Sequence, residues 1–418
     1  MAVELAHRAE CGDRTPDRCS PLGAVVCGVM ANRAQMNDSS VSTTQVHQFV
    51  QGILEEDLHA RRVLSLANAV VGAVHAAALS IHAIGAALAA ASSLDKKHAV
   101  KQVDRLLSNA GIAMEELFPV WAAFVLGARN EARIALDWTD FEQDDQVTLA
   151  AYLISDHGRA TPLVWKTYAK SSLRGNQSDH EAEFIDLLDR VIPEKTEVTV
   201  VADRGFASVE RYEHLDFLGF KYLIRFRGDI QVTDTDGTTQ TGKQWVPPNG
   251  RARRLEQARV TAAKGSVPVV ICVRKAKMKE PWCLATNHAE LTSAEIINLY
   301  GRRFTIEETF RDVKDQRFGM GLRATSIRQP ERRDRLLFVA ALAHALLSLL
   351  GAAGERLGLD RTLKVNTSKT RQLSLYRQGL FWYQALPNMR EERFVALMTA
   401  YSEIIQEHAV MRRVFGVL

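Results

Sequence analysis

What most limits the fold of this chain is a switch in hydrophobic period close to Arg133. From about Val41 to Leu126 the chain reads as helix throughout. Beyond it, short runs rich in β-branched and aromatic residues take over. Arg133 to Thr139 (RIALDWT), Val147 to Ser155 (VTLAAYLIS) and Pro162 to Tyr168 (PLVWKTY) read as three strands. A helix follows, with Ser178 and Glu181 at capping-box spacing ahead of Phe184, Leu187, Leu188 and Val191. Thr196 to Ala202 (TEVTVVA) is a fourth, buried strand that runs straight into Asp203. Phe206 to Leu218 reads as helix and Phe220 to Phe226 as a fifth strand.

The order strand, strand, strand, helix, strand, helix, strand is the ribonuclease H-like layout, an α/β core with a mixed five-stranded sheet. Its first and fourth strands are neighbours, which puts Asp137 and Asp203 side by side. The last helix of such a core delivers a third carboxylate, and here that helix carries Glu307. Between the fifth strand and this helix, roughly residues 228 to 291, Thr/Asp/Gly turns and runs such as PVVICVRK and WCLATN suggest an all-β insertion. The organisation expected is a disordered or mis-started stretch at 1–40, a helical region at 41–130, an α/β core at 131–334 and a helical C-terminal region at 335–418.

Tyr300 to Lys314 (YGRRFTIEETFRDVK) is expected to be one helix, started by Thr292 or Ser293. Tyr300, Arg303, Glu307, Arg311 and Lys314 are spaced by three, four, four and three. At ~3.6 residues per turn they fall on one stripe. Phe304, Ile306, Phe310 and Val313 form the apolar side. Such a stripe on its own is compatible with a solvated face of intrahelical ion pairs. It also suits a metal-holding carboxylate flanked by phosphate-holding cations.

The 418 residues include 53 basic and 49 acidic ones, a net charge of only +4, so the chain as a whole carries no nucleic-acid signature. The distribution is less even. Arg251 to Lys279 holds nine basic residues against Glu256 alone, and Arg361 to Gly379 holds five with no acid. Lys97, Lys101 and Arg105 share one face of an amphipathic helix whose other face is Val100, Val103, Leu106 and Leu107. That face is an ordinary solvated one or a contact with DNA backbone. Five cysteines (Cys11, Cys19, Cys27, Cys272 and Cys283) with no C-x-x-C argue against a disulfide framework or structural zinc, and for a reducing cytoplasm. Leu66 to Leu94 carries no formal charge. Its Ala-rich character, His75, His82 and the lack of aromatic anchors favour a buried helix over a membrane span, and Leu336 to Leu350 reads as a core helix.

Phosphoryl transfer with two metals requires carboxylates from separate elements around ions about 4 Å apart. Mg²⁺ takes hard oxygen ligands and keeps several waters, so two or three carboxylates suffice, with Mn²⁺ able to substitute. Asp137, Asp203 and Glu307 meet that need. Asp140, Asp144 and Asp145 are assigned to a solvated loop, and Glu308 points off the stripe.

The spacing Tyr300, Arg303, Glu307, Lys314 resembles the Tyr-(two)-Arg-(three)-Glu-(six)-Lys signature of bacterial insertion-sequence transposases, the YREK-type DDE enzymes of the cut-and-paste kind. LDWTDF is similar to that family's first-Asp motif, VVADRGF to its second, and PWCLAT to its tryptophan segment. The likeness covers roughly Arg133 to Arg323. It implies that Asp137, Asp203 and Glu307 bind the metals and that Tyr300, Arg303 and Lys314 grip phosphate at a transposon end. It further implies that Trp282 stacks on a flipped base, that Arg204 faces DNA, and that the helical N-terminal part at 41–130 binds the element's ends. The implied partners are double-stranded DNA, as terminal inverted repeats and target, and a second copy on paired ends. The implied setting is the cytoplasm and nucleoid, without a membrane. Two other readings stay open: a silent end-binding repressor derived from a transposase, and a structure-specific nuclease of the same fold.

Overall fold

The computed structural model describes residues 38–127, 129–155, 159–276, 278–315, 319–369 and 371–406. Of the N-terminal stretch expected to lack structure, residues 1–37 lie outside the described ones, as do Cys11, Cys19 and Cys27. Asp38 already belongs to the first helix.

Five helices come first: α1 (Asp38–Leu54), α2 (Ala60–Ala76), α3 (Ile81–Ser92), α4 (Lys96–Leu107) and α5 (Met114–Leu126). The charge-free run expected as one buried helix is two. Ala77 turns left-handed at φ 48°, the Ser80 hydroxyl accepts from Ala83 N–H, and the axes bend by 96°. The bend lets both helices bury their apolar sides, and Leu66, Val70, Val74, Ile84 and Leu88 are fully buried.

Next come β1 (Glu131–Phe141), β2 (Gln146–Ile154), β3 (Ala160–Ala169), a single turn α6 (Lys170–Leu173), α7 (Gln177–Val191), β4 (Glu197–Ala202), α8 (Val209–Phe217) and β5 (Lys221–Phe226). Five more strands follow: β6 (Gln231–Thr233), β7 (Thr239–Thr241), β8 (Arg253–Val260), β9 (Gly265–Val273) and β10 (Trp282–Thr286). All ten form one mixed sheet in the order β3-β2-β1-β4-β5-β10-β9-β8-β6-β7. β1 is antiparallel to β2 and parallel to β4, and β4 is parallel to β5. This large mixed sheet among helices is consistent with a ribonuclease H-like core.

The sheet differs from the expectation in size and in where the insertion goes. It has ten strands rather than five, because residues 228 to 291 do not form a separate unit. β10 pairs antiparallel with β5, with Cys283 opposite Phe226 and Thr286 opposite Leu223. Left as an edge, β5 would carry a row of unpaired backbone donors and acceptors beside a buried core. β10 satisfies them, and its Leu284 and Ala285 are fully buried. Cys272 and Cys283, free thiols, face each other across β9 and β10.

Helices α9 (Ser293–Arg302), α10 (Thr305–Lys314), α11 (Pro330–Arg356), α12 (Leu375–Ala385) and α13 (Glu391–Gln406) complete the described chain. Among the described helices, α11 is long and apolar enough by itself to cross a membrane. Its apolar window is entirely buried inside the protein, packed on α2, β3, α12 and α13.

Candidate active site

The sheet register places the first two acids. Leu136 on β1 lies beside Ala202 on β4, so Asp137 and Asp203 occupy the next step. Side chains alternate along a strand, and Trp138 therefore faces away from Asp137. Its indole Nε1 donates to Glu181 Oε1 at 2.9 Å, and Arg211 Nη2 reaches Glu181 Oε2 at 3.2 Å. Glu181 and Arg211 are buried, and together they tie β1 to α7 and α8. Glu181 is thus a buried partner and not a capping residue, since α7 begins after Asn176 without a side-chain cap. After β4, Asp203 Oδ1 accepts from Gly205 N–H at 2.8 Å, which turns the chain away from the sheet.

The third acid arrives on a helix that is not continuous. Thr292 and Glu295 form a capping box that starts α9. α9 ends at Arg302 and α10 begins at Thr305. Across the break Arg303 N–H bonds to Tyr300 O at 3.0 Å and Glu307 N–H to Phe304 O at 3.2 Å, the tighter three-residue step. That tightening rotates the expected stripe apart. Tyr300, Arg303 and Lys314 are buried, whereas the Glu307 and Arg311 side chains are 52% and 61% exposed. Arg311 pairs with Glu308 at 3.0 Å.

Arg303 is the hub of the charges. Its Nη1 lies 3.5 Å from Asp137 Oδ2 and its Nη2 lies 3.2 Å from Glu307 Oε1. Its Nε and Nη1 are buried without a hydrogen-bond acceptor. Burial pushes the Asp137 carboxyl up to about 6. Arg303 opposes that rise, while Asp203 and Glu307 add to it by like-charge repulsion. All three acids therefore sit within electrostatic reach of one another. Burial also raises the Tyr300 phenol.

Lys314 is anchored inside the fold. Its ammonium donates to the Thr139 hydroxyl and, at 3.3 Å, to the Asp140 carbonyl. It lies 4.6 Å from the centre of the Phe141 ring and 5.1 Å from that of Phe310. Burial lowers it to about 8. The structure thus places Lys314 as a tie between α10 and β1, two residues beyond Asp137, rather than on the surface beside Glu307. Asp144, expected in a solvated loop, is also largely buried. Its carboxylate pairs with Arg333 of α11, which is fully buried and also donates to Gln146 Oε1 at 2.5 Å. Asp140 does stay at the surface, 3.0 Å from Lys170.

Trp282 opens β10 half-buried. Its ring meets Tyr300 edge-on at 4.9 Å and lies nearly parallel to Phe304 at 6.1 Å. Phe304, 40% exposed and 5.1 Å beneath the Arg303 guanidinium, reads from sequence only as part of an apolar face. An aromatic directly beside Arg303 in the stripe is the signal that could have found it. Arg204 is exposed and lies 3.4 Å from Glu280. Lys97, Lys101 and Arg105 are on the exposed side of α4, where Lys101 and Arg105 line an open cavity of about 470 Å³ with Ser65, His98 and Gln102. Among the described residues, no three or more His, Cys, Asp or Glu side chains gather as a metal-holding group.

Residues 171–346 match the family model of the transposase DDE domain, which supports a transposase of an insertion sequence. The matched stretch contains Asp203, Trp282, Tyr300, Arg303, Glu307 and Lys314, and Asp137 lies upstream of it. No curated protein matches the chain.

Proposed function

We propose that the protein catalyses cut-and-paste transposition of an insertion sequence: metal-dependent strand cleavage at terminal inverted repeats, then strand transfer into target DNA. The observation that carries this is the convergence of Asp137, Asp203 and Glu307, from β1, the end of β4 and α10, on the charge of Arg303. The donor set fits Mg²⁺ or Mn²⁺. It is made of hard oxygens alone, and the mutual repulsion that helps hold Asp137 near 6 is what a cation relieves. When bound, the ions would activate a water or 3′ hydroxyl and neutralise the leaving oxygen.

The chain's own residues set the stage for that chemistry. β1 and the turn after β4 present Asp137 and Asp203 beside the sheet, and Glu307, now paired with Arg303, has an exposed side chain that can turn toward them once that pair opens. Arg303 gives up its carboxylates and turns its unpartnered N–H groups to phosphate. Tyr300 supports it from below, Lys314 fixes α10 on β1, and Trp282 with Phe304 offers an aromatic face to an extruded base. The paired-end homodimer, the DNA-facing roles of Arg204, Lys97, Lys101 and Arg105, the domain limits at 41–130, 131–334 and 335–418, and a nucleoid setting belong to the same proposal.

The test is cleavage of duplex bearing the terminal repeats that flank the reading frame. Asp137→Asn, Asp203→Asn and Glu307→Gln should each remove Mg²⁺-dependent cleavage, by a factor of about a thousand or more, while gel-shift affinity for the same duplex is kept. A variant that still cuts near the wild-type rate removes that residue from the site. Binding without cleavage by the wild-type chain would indicate a repressor instead.

A further inference from the structure

The turn that leads into β10 carries an acid in an unusual position. Glu280 Oε2 accepts from Arg225 Nη2 at 2.8 Å and lies 3.4 Å from Arg204 Nη1. Two guanidiniums, one on β5 and one just past β4, thus meet at a single carboxylate oxygen. Arg225 also donates to the Pro281 carbonyl at 3.3 Å, and its Nε is buried without an acceptor. Its side chain is 19% exposed and its backbone is held in the ladder opposite Leu284, whereas the side chain of Glu280 is 59% exposed. Two arginines facing one acid leave a surplus positive charge and unused donors. Arg225 is the largely covered partner, Arg204 and Glu280 both lie at the surface, and the single acid is what a second anion can replace.

The location gives this arrangement a purpose. Arg204 directly follows Asp203, and Pro281 directly precedes Trp282, so the pair lies between a candidate metal ligand and the candidate base-stacking ring. We propose that Arg204 and Arg225 form an anion site for a DNA backbone phosphate, which Glu280 occupies as an internal stand-in until a phosphodiester displaces it. A phosphodiester carries one negative charge, like the carboxylate it replaces. Its two free oxygens suit the forked donors of two arginines better than one carboxylate oxygen does. This rests on the transposase reading and adds Arg225 and Glu280 to it.

The experiment uses the full chain and a short fluorescein-labelled duplex with a frayed end, read by fluorescence anisotropy across a salt series. Glu280→Gln should tighten binding about two- to fivefold at low salt, the range expected for releasing an exposed ion pair. Arg225→Ala should weaken binding and flatten the log–log salt slope by about 0.9. On the Arg225→Ala background, Glu280→Gln should add nothing. If Glu280→Gln leaves affinity unchanged or lowers it, or tightens it equally without Arg225, the stand-in is overturned and Glu280 is a structural tie of the β10 turn. A wild-type chain that binds no duplex at any salt would remove the transposase reading and this site together. The Glu280→Gln arm alone decides the matter if Arg225→Ala does not fold.

Discussion

At the scale of single residues, Asp334 offers the cleanest measurement. It lies on α11, buried, and accepts from the Thr167 hydroxyl at 2.6 Å and from Thr167 N–H at 3.3 Å. Burial outweighs those bonds and pushes its carboxyl from 3.8 to about 7. The folded chain therefore holds a proton there that the unfolded chain has lost between those values. With fewer protons on the unfolded side, stability falls as pH rises through that window. Asp334→Asn keeps the shape and removes the titration. Urea midpoints followed from pH 4 to pH 7 should decline more for the wild type than for the variant, and parallel curves would refute the assignment. The same residue is invisible in the sequence, as are the buried pairs of Glu181 with Arg211 and Asp144 with Arg333. Each needs a partner far along the chain, and periodicity reports burial of apolar residues only. Asp137 and Asp203 are legible for the opposite reason, as single charges ending apolar strand runs. Spacing alone puts Lys314 and Tyr300 on a stripe with Glu307, but it does not say which side of a helix the core takes.

At the scale of elements, α11 and α12 cross closely enough to need glycine on both sides. A Cβ on Gly379 would overlap the Leu347 carbonyl oxygen, and one on Gly351 would overlap that of Leu375. Both obstacles are backbone, which cannot move aside as a side chain does. Gly379→Ala should therefore force the helices apart and cost about 1–3 kcal/mol or more, as overpacking does. Gly358→Ala, at φ 70° with open space around it, should cost less, since only backbone strain opposes it. Thermal midpoints of the two variants decide this, and equal losses would show that the helices are free to separate. Strand order from β1 to β5 is readable, because each strand is a short apolar run bounded by turn residues. The break between α9 and α10 is not, for the glycine near it, Gly301, lies inside α9 and reads as a tolerated helical glycine. What bends the chain there is the burial of Tyr300 and Arg303 against Trp282 and Asp137, a tertiary demand that local propensity does not record. The bend between α2 and α3 escapes for the same reason, since Ala77 is as good a helix former as its neighbours.

At the scale of the whole molecule, two features sit on different elements. The carboxylates are on β1, just past β4 and on α10, and the exposed cations Lys97, Lys101 and Arg105 are on α4, which packs on α2, α3 and α11. Assembly is not legible in sequence beyond the family likeness, because an exposed basic face looks the same whether it meets solvent or DNA. The proposed paired-end dimer gives the separation a function: one protomer grips an end through α4 while the carboxylates of the other cut it. Replacing Lys97, Lys101 and Arg105 by Ala together should flatten the salt dependence of end binding by roughly 2.7, at about 0.9 for each phosphate no longer neutralised. That protein keeps its carboxylates and loses its grip. Asp203→Asn keeps its grip and loses its carboxylate. Each alone should be inactive on end-containing duplex. Mixed before DNA is added, they should form heterodimers in which the Asp203→Asn protomer holds an end and the α4 variant cuts it. Cleavage well above either variant alone is the expected result, with the nicked strand mapped at the terminal repeat. If the mixture stays inactive while each variant still dimerises, cutting takes place within the protomer that binds, and the α4 face has to act beside the carboxylates of its own chain.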